Sequence, residues 1–298
     1  MATTTLNPQV AGLLKRPQLR TWVGGVLTGL VGLCALATVI PLFAVLGFVL
    51  VRGISRFSLD LFTKLPPPPG LSGGGFGNAL IGTLIVVILG TLIAVPFGVL
   101  TAVYLSEFSN VSKEQKEIAR WVRFGINVLA GVPSIIAGVF AYGLFVTTGI
   151  FGYSAAAAGV ALAVLMLPTI VRTTDEALKI VPQEVRWASV GLGASNYYTI
   201  LRVVLPAALP SILTGVILAM ARAVGDTAAL IFTALFSTFW PRSLLEPIAT
   251  LSVLVYNFAT VPFQPQQELA WAASFFLVML VLVASVTARL VIRRPQMR

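Results

Sequence analysis

Long apolar runs without a single charge dominate this sequence, and they decide what it can fold into. A helix needs about 20 consecutive apolar residues to cross the hydrocarbon core of a bilayer. Six such runs can be placed, with the third and fourth separated near Gly149 and Gly152: 21–51, 78–104, two within 123–172, 210–236 and 269–287. We therefore predict an all-α membrane protein with six transmembrane helices.

The composition excludes several classes of function. Hydrophobic residues make up 57% of the chain and charged residues 10%, against roughly 25% charged in soluble proteins. The sequence has no histidine, so histidine metal sites and Ser-His-Asp triads are impossible. Cys34 is the single cysteine, which rules out an intrachain disulfide or a cysteine-cluster metal site. A GxxxxGK[ST] phosphate loop is also absent, so we expect neither ATP hydrolysis nor a cofactor in this chain.

The basic residues predict how the chain is oriented in the membrane. The net charge is +10, but the charges lie at the ends of apolar runs, which argues against nucleic-acid binding. With the N-terminus in the cytoplasm, most lysines and arginines fall on the inner side of the membrane, in agreement with the positive-inside rule. We expect cytoplasmic tails at 1–20 and 293–298 around a permease domain at 21–292, with both termini cytoplasmic.

Arg222 is the exception to this distribution of charge. It lies in "ARAVGDTAAL", residues 221–230, at the centre of the fifth apolar run, with Asp226 four residues later. On a continuous helix these two residues share one face and can form an ion pair. One interpretation is therefore a buried pair that fixes helix register. The other is a functional site, the default hypothesis for an ionisable residue inside a membrane.

A long polar segment on the inner side, about 173–206, separates the fourth and fifth runs. Within it, "PQEVRWASVG" is typical of a short helix, and Ala188 and Ser189 give that helix a small-residue surface. Gly193 permits a sharp turn after the helix, and Leu205 and Pro206 precede the next span. One interpretation is an amphipathic helix lying on the inner membrane surface, and the other is a docking surface for a partner.

This segment resembles the EAA loop of ABC-importer permeases, whose pattern is E-A-A, three residues, G, nine residues and I-x-L-P. Ala188 and Ser189 match the two alanines, Gly193 matches the glycine, and the motif ends at Leu205 and Pro206. Trp187 stands where the pattern has glutamate, and Glu184, one helical turn earlier, offers a substitute charge. The resemblance implies that this loop docks as a coupling helix on an ATPase subunit.

Further stretches resemble the PstA-type permease subunits of phosphate-specific ABC importers. They are "GVPSIIAGVFAYGLFV", "ARAVGDTAALIFTALFSTFW", "PIATLSVLVYNFA" and "QQELAWAA", within about 75–292. The resemblance implies an importer with a second homologous permease chain, an ATPase dimer that holds ATP and magnesium, and an extracytoplasmic phosphate-binding protein. It also implies location in the bacterial inner membrane.

Other functions remain as alternatives to the phosphate permease. The sister permease of the same importer carries a related stretch, and the residues alone do not distinguish phosphate from another oxyanion. A secondary transporter would usually show a repeated architecture, and a membrane scaffold would not explain Arg222.

In a phosphate permease, the functional interpretation makes Arg222 a cationic station for the passing anion. An arginine fork suits phosphate oxygens. Asp226 would keep the station from binding phosphate too tightly, and Thr227 could donate a hydroxyl hydrogen bond. Ser134, after Pro133, is a further candidate for the substrate pathway.

Overall fold

The computed structural model describes residues 19–109 and 112–293. Within those ranges the chain forms helices, turns and loops, with no β-strand, which confirms the all-α prediction. Of the predicted tails 1–20 and 293–298, residues 1–18 and 294–298 lie outside the described residues.

The helices are labelled in chain order. Two single-turn helices, Asp60–Thr63 and Asn196–Thr199, are left unlabelled, and short π-helical segments follow three of the helices at Tyr104–Phe108, Tyr142–Val146 and Ile200–Val204. The labelled helices are α1 (Leu19–Ile54), α2 (Gly77–Val103), α3 (Lys113–Gly131), α4 (Ser134–Ala141), α5 (Ala155–Ile180), α6 (Gln183–Gly191), α7 (Leu205–Val224), α8 (Ala228–Thr233), α9 (Leu251–Thr260) and α10 (Gln264–Arg293).

Within the described residues, five helical segments are long and apolar enough to cross a membrane. A sixth span results if α3 is counted together with α4 and the π-helical segment that follows α4. These two parts are bent by 105° relative to each other. The prediction of six spans therefore holds with one of them broken.

The fifth predicted span, 210–236, differs from the structure. Helix α7 begins earlier, at Leu205, and ends at Val224, and the separate helix α8 follows. The helix stops because the chain turns at Gly225, where the Asp226 N–H donates to the Ala223 carbonyl at 3.2 Å. The short helix α9 was not predicted either, since its apolar run is too short to span a bilayer.

The chain divides into two compact units between Val51 and Arg52. Helix α1 contributes all described residues of the first unit and ends three residues into the second. The second unit contains every other helix.

Helix α5 forms the centre of the second unit. Its side chains Leu162, Met166, Ile170 and Leu178 are fully buried. They belong to one apolar cluster with residues of α2 and α7. A helix that is apolar on nearly all sides is expected where neighbouring helices surround it.

Glycines let the backbone of α2 approach its neighbours closely. A Cβ atom added at Gly90 would lie 3.1 Å from the Leu162 Cβ, and one added at Gly98 would lie 2.7 Å from the Ile170 Cγ2. At Gly82 the added atom would clash with the Ala249 carbonyl oxygen. Small residues at contact points are the usual means of helix association in membranes, where lipid gives little hydrophobic drive.

We expect Gly82→Ala to destabilise the protein by about 1–3 kcal/mol, because the added methyl group overpacks a contact that is already closed. The measurement is thermal unfolding of the purified protein in detergent. Gly125→Ala in α3 is the matched control, because nothing lies within 4 Å of its added Cβ. Equal unfolding temperatures for the two variants would show that the contact at Gly82 does not hold the helices together.

Candidate functional site

A break between α3 and α4 opens the interior of the second unit. Pro133 lies at the break, and the preceding Val132 has an extended backbone with ψ 126°. A residue before proline is disfavoured in the helical conformation, so the sequence ends α3 here. The axes of the two helices then differ by 105°.

A cavity of about 200 Å³ lies beside this break. It is bordered by α3, α4, α5 and α7, and its polar lining comprises Ser134, Thr169, Arg172, Arg222 and Asp226. The structure therefore brings together three of the four residues predicted for the substrate pathway. Thr227, the fourth, is half-buried but does not line the cavity.

Arg222 lies in the last turn of α7, and its side chain is exposed in this chain. Toward the residues that the structure describes, it forms no ion pair within 4.0 Å and no hydrogen bond. The Arg222–Asp226 ion pair, one of the two interpretations of the sequence, is therefore not formed in this structure. The physical reason is the end of α7 at Val224, which removes the continuous helix that an i, i+4 pair requires.

The side chain of Asp226 instead caps the N-terminus of α8. Its Oδ1 accepts the N–H of Ala229 at 3.0 Å, and its carbonyl oxygen accepts the Ser252 hydroxyl at 3.0 Å. The first N–H groups of a helix lack intrahelical partners, and an aspartate side chain commonly satisfies one of them. One carboxylate oxygen of Asp226 is thus engaged at the edge of the cavity.

Arg172 is the cavity residue that sequence reasoning missed as a site. In the sequence it ends the fourth apolar run, but it lies within α5, and its Nη2 donates to the Asn127 Oδ1 at 2.8 Å. The helical pattern of the sequence continues past Arg172 to Lys179, and this pattern could have indicated that Arg172 lies within a helix. Arg172 gives the cavity a second guanidinium group.

The cavity lining suits a small anion. Two guanidinium groups and the Ser134 hydroxyl are hydrogen-bond donors, and the Asp226 carboxylate is an acceptor of opposite charge. Arginine binds tetrahedral oxyanions through paired N–H groups in a fixed plane. The lining therefore offers the groups needed to bind an anion reversibly.

Four of the predicted coupling residues, Glu184, Trp187, Ala188 and Ser189, lie on helix α6 and do not line the cavity. Helix α6, Gln183–Gly191, agrees with the prediction to one residue and contains no buried residue. Glu184, Ala188 and Trp187 are exposed, the last by 68%. The Ser189 hydroxyl lies 2.9 Å from that of Thr199.

The structure also places Gly193 and the Leu205–Pro206 pair, the later residues of the predicted motif. Gly193 has φ +89°, the left-handed conformation that glycine adopts without strain. Leu205 begins α7 directly after the π-helical segment Ile200–Val204, and Pro206 occupies the first turn of α7. Between Gly193 and Leu205 the chain enters the apolar core, where Val204 is fully buried.

Comparison with known proteins decides the family. The family model for the inner membrane component of binding-protein-dependent transport systems matches residues 94–296. This chain belongs to that family. It is accordingly a permease, a transport component of the multi-pass inner-membrane type.

Curated relatives support the same family over most of the chain. The phosphate transport system permease protein PstA of Haemophilus influenzae is 41% identical, over 88% of this chain and 92% of its own. PstA of Xylella fastidiosa is 37% identical, over 82% of this chain and 83% of its own.

Solved structures show the permease fold. A chain of a bacterial alginate ABC transporter in complex with an alginate pentasaccharide-bound periplasmic protein aligns with a TM-score of 0.66 at 16% identity, over 92% of this chain and 95% of that one. A chain of the MetNI methionine ABC transporter aligns with a TM-score of 0.57 at 22% identity, over 72% of this chain and 92% of that one.

The turn after α6 generates a prediction about coupling. We expect Gly193→Val to leave the protein inserted and assembled while uptake per ATP falls, because a β-branched residue resists the positive φ that orients α6. Both rates would be measured after reconstitution with an ATPase and a binding protein. Gly193→Asn is the control, since asparagine tolerates this conformation. Normal uptake per ATP in the valine variant would show that the turn at Gly193 has no role in coupling.

Proposed function

We propose that this permease forms half of the pathway by which an ATP-driven importer moves inorganic phosphate into the cell. The names of the curated relatives, phosphate transport system permease proteins, support this substrate. The second half of the pathway would come from a homologous permease chain. An extracytoplasmic phosphate-binding protein would deliver the anion.

The observation that carries the proposal is the unpaired Arg222 in the cavity. A charge at the centre of a bilayer costs about 2.5–3.5 kcal/mol on insertion scales. No carboxylate among the described residues offsets that cost through an ion pair. An arginine that serves only the fold would be expected to have such a partner, whereas a transport station needs a free guanidinium group for its anion.

The remaining lining residues suit transient binding. Arg172 already donates to Asn127, so it contributes charge with fewer free donors than Arg222. Asp226 places a negative charge at the cavity edge and weakens phosphate binding enough for release. The Ser134 hydroxyl, at the first position of α4, can donate to a phosphate oxygen without adding charge.

Energy for transport would come from a partner. The chain has no phosphate loop for ATP, so ATP and magnesium would be held by an ATPase dimer that docks on α6. Closure of that dimer would favour one of two permease conformations, because a ligand shifts an equilibrium through its different affinity for the two states.

Orientation in the membrane follows from the charges. The positive-inside rule places α6 and the Lys113–Arg123 segment in or next to the cytoplasm, together with both termini. The loop between α1 and α2, which contains four consecutive prolines, then faces the outside. This orientation puts the ATPase surface and the binding-protein surface on opposite sides.

Phosphate specificity is tested by uptake. In proteoliposomes containing the whole importer, we expect ATP-dependent uptake of labelled phosphate that an excess of sulfate does not inhibit. The phosphate-binding protein should be required on the outer side. Uptake of sulfate but not phosphate would refute the substrate while leaving the permease family intact.

The role of Arg222 is tested by three variants. Arg222→Ala should lower phosphate uptake at least about tenfold, since a hydrogen bond to a charged group contributes roughly 1.5–3 kcal/mol. Arg222→Lys should retain part of the activity, because it keeps the charge and loses the fork. The double variant Arg222→Ala with Asp226→Ala should assemble and remain inactive.

Arg242→Ala is the control, because Arg242 is an exposed arginine outside the cavity lining. It should transport phosphate like the unmodified importer. Uptake near normal in the assembled double variant would show that Arg222 serves only to balance Asp226, and would refute the phosphate station.

A further inference from the structure

The side chain of Arg186 is largely removed from solvent, although most of α6 is exposed. Helix α6 contains no buried residue, yet the side chain of Arg186 is only 13% exposed. An arginine is rarely removed from water unless its charge is paired and its N–H groups are hydrogen-bonded. The partners of Arg186 therefore show what this helix is attached to.

The first partner is Glu107, at the end of the second span. The Arg186 Nη2 donates to the Glu107 Oε1 at 2.9 Å and its Nε donates to Oε2 at 3.4 Å. The Glu107 side chain is only 10% exposed. It lies in the π-helical segment Tyr104–Phe108 that continues α2. This two-point geometry fixes orientation as well as distance.

The second attachment is to the end of α5. The Arg186 Nη2 also donates to the Leu178 carbonyl at 2.9 Å, and its Nη1 donates to the Val181 carbonyl. The last carbonyl groups of a helix have no intrahelical donor. Arg186 thus caps α5 while holding the carboxylate that follows α2.

Among the described residues, no other side chain of α6 forms a hydrogen bond or ion pair with α2, α5 or the segments that continue them. The Ser189 hydroxyl lies 2.9 Å from that of Thr199, which belongs to the helical segment Asn196–Val224 that includes α7. The remaining α6 side chains have no hydrogen bond or ion pair with the described part of the chain. Arg186 is therefore the polar connection between α6 and two membrane-spanning helices.

Helix α5 leads from this connection to the anion cavity. Leu178 belongs to its last turn, and Thr169 and Arg172 line the cavity. Leu178 and Thr169 are about 14 Å apart along the axis at 1.5 Å per residue. The helix between them is uninterrupted, so a displacement of its end reaches the cavity.

We propose that Arg186 is a positioning residue for coupling, which transmits movement of α6 to α2 and α5 and thereby to the anion cavity. This rests on the proposed function, in which α6 docks on the ATPase. The Arg186 guanidinium group is planar and rigid, and it links α6 to the end of α5 and to the segment that continues α2. Without these Arg186 contacts, ATP hydrolysis should continue but should no longer open the cavity.

The inner surface offers a matched control. Arg123 donates to the Asp175 Oδ2 at 2.9 Å and to the Leu105 carbonyl at 3.0 Å, so it binds one carboxylate and one carbonyl where Arg186 binds one carboxylate and two carbonyls. Among the described residues, Arg123 has no hydrogen bond or ion pair with α6. Comparison of Arg186→Met with Arg123→Met therefore separates a coupling contact from an inner-surface ion pair that only stabilises the fold.

The experiment uses the complete importer in proteoliposomes with two readouts. The first is phosphate transported per ATP hydrolysed. The second is the change that ATP causes in thiol labelling of Ala130→Cys, a cavity position, in a Cys34→Ser background. The labelling readout needs no transported substrate. Failure of phosphate uptake in the unmodified importer would refute the proposed function, while labelling would still test Arg186.

We expect Arg186→Met to assemble, hydrolyse ATP and lose coupling by roughly 2- to 30-fold, the range found for residues that link distant sites. Its ATP-dependent labelling change should shrink in parallel, and Arg123→Met should behave like the unmodified importer. The double variant Arg186→Met with Glu107→Leu leaves no lone buried charge, and it should assemble but stay uncoupled.

Arg186→Lys extends the test to a milder change. A lysine keeps the charge but cannot bridge the carboxylate and both carbonyl groups, so intermediate coupling is expected. Normal coupling in the assembled double variant or in Arg186→Lys would overturn the proposal. An equal loss in Arg123→Met would overturn it as well, because the effect would then not depend on α6.

Discussion

Backbone groups inside a bilayer must find hydrogen-bond partners within the protein, and this constraint governs the centre of the permease. An interrupted helix is tolerated at membrane depth only where it is buried in protein or borders a cavity. Both interruptions described here meet that condition. Pro133, between α3 and α4, and Asp226, between α7 and α8, line the same cavity. The breaks and the anion site are therefore one feature.

The sequence predicted the spans well because an apolar run has a simple physical requirement. Helix α2 was expected at 78–104 and occupies Gly77–Val103. Helix α6 was expected from "PQEVRWASVG" and occupies Gln183–Gly191. In both cases local composition and the bounding residues determine the element, and no distant contact is needed.

The candidate site was predicted only in part, because its details depend on where helices stop. The pairing of Arg222 with Asp226 assumed a continuous helix, and the signal against it was Gly225 between them. Arg172 marks the end of the fourth apolar run in the sequence, because a charge usually ends such a run, and the sequence did not show that α5 continues past it. The partners of Arg186 lie at the ends of α2 and α5. A contact between segments that are distant in the chain cannot be predicted from the local sequence around either of them.

The glycine contacts between α2 and α5 have a consequence for how this permease can change shape. At Gly90 and Gly98, α2 has no side chain, and Leu162 and Ile170 of α5 pack directly against its backbone, so α2 has no rotamer to change at these points when one helix is pushed past the other. These two helices should thus move together as a rigid body. The flexibility that alternating access needs must come from the helices that are interrupted, where a few backbone torsions at Val132 or Gly225 can act as hinges.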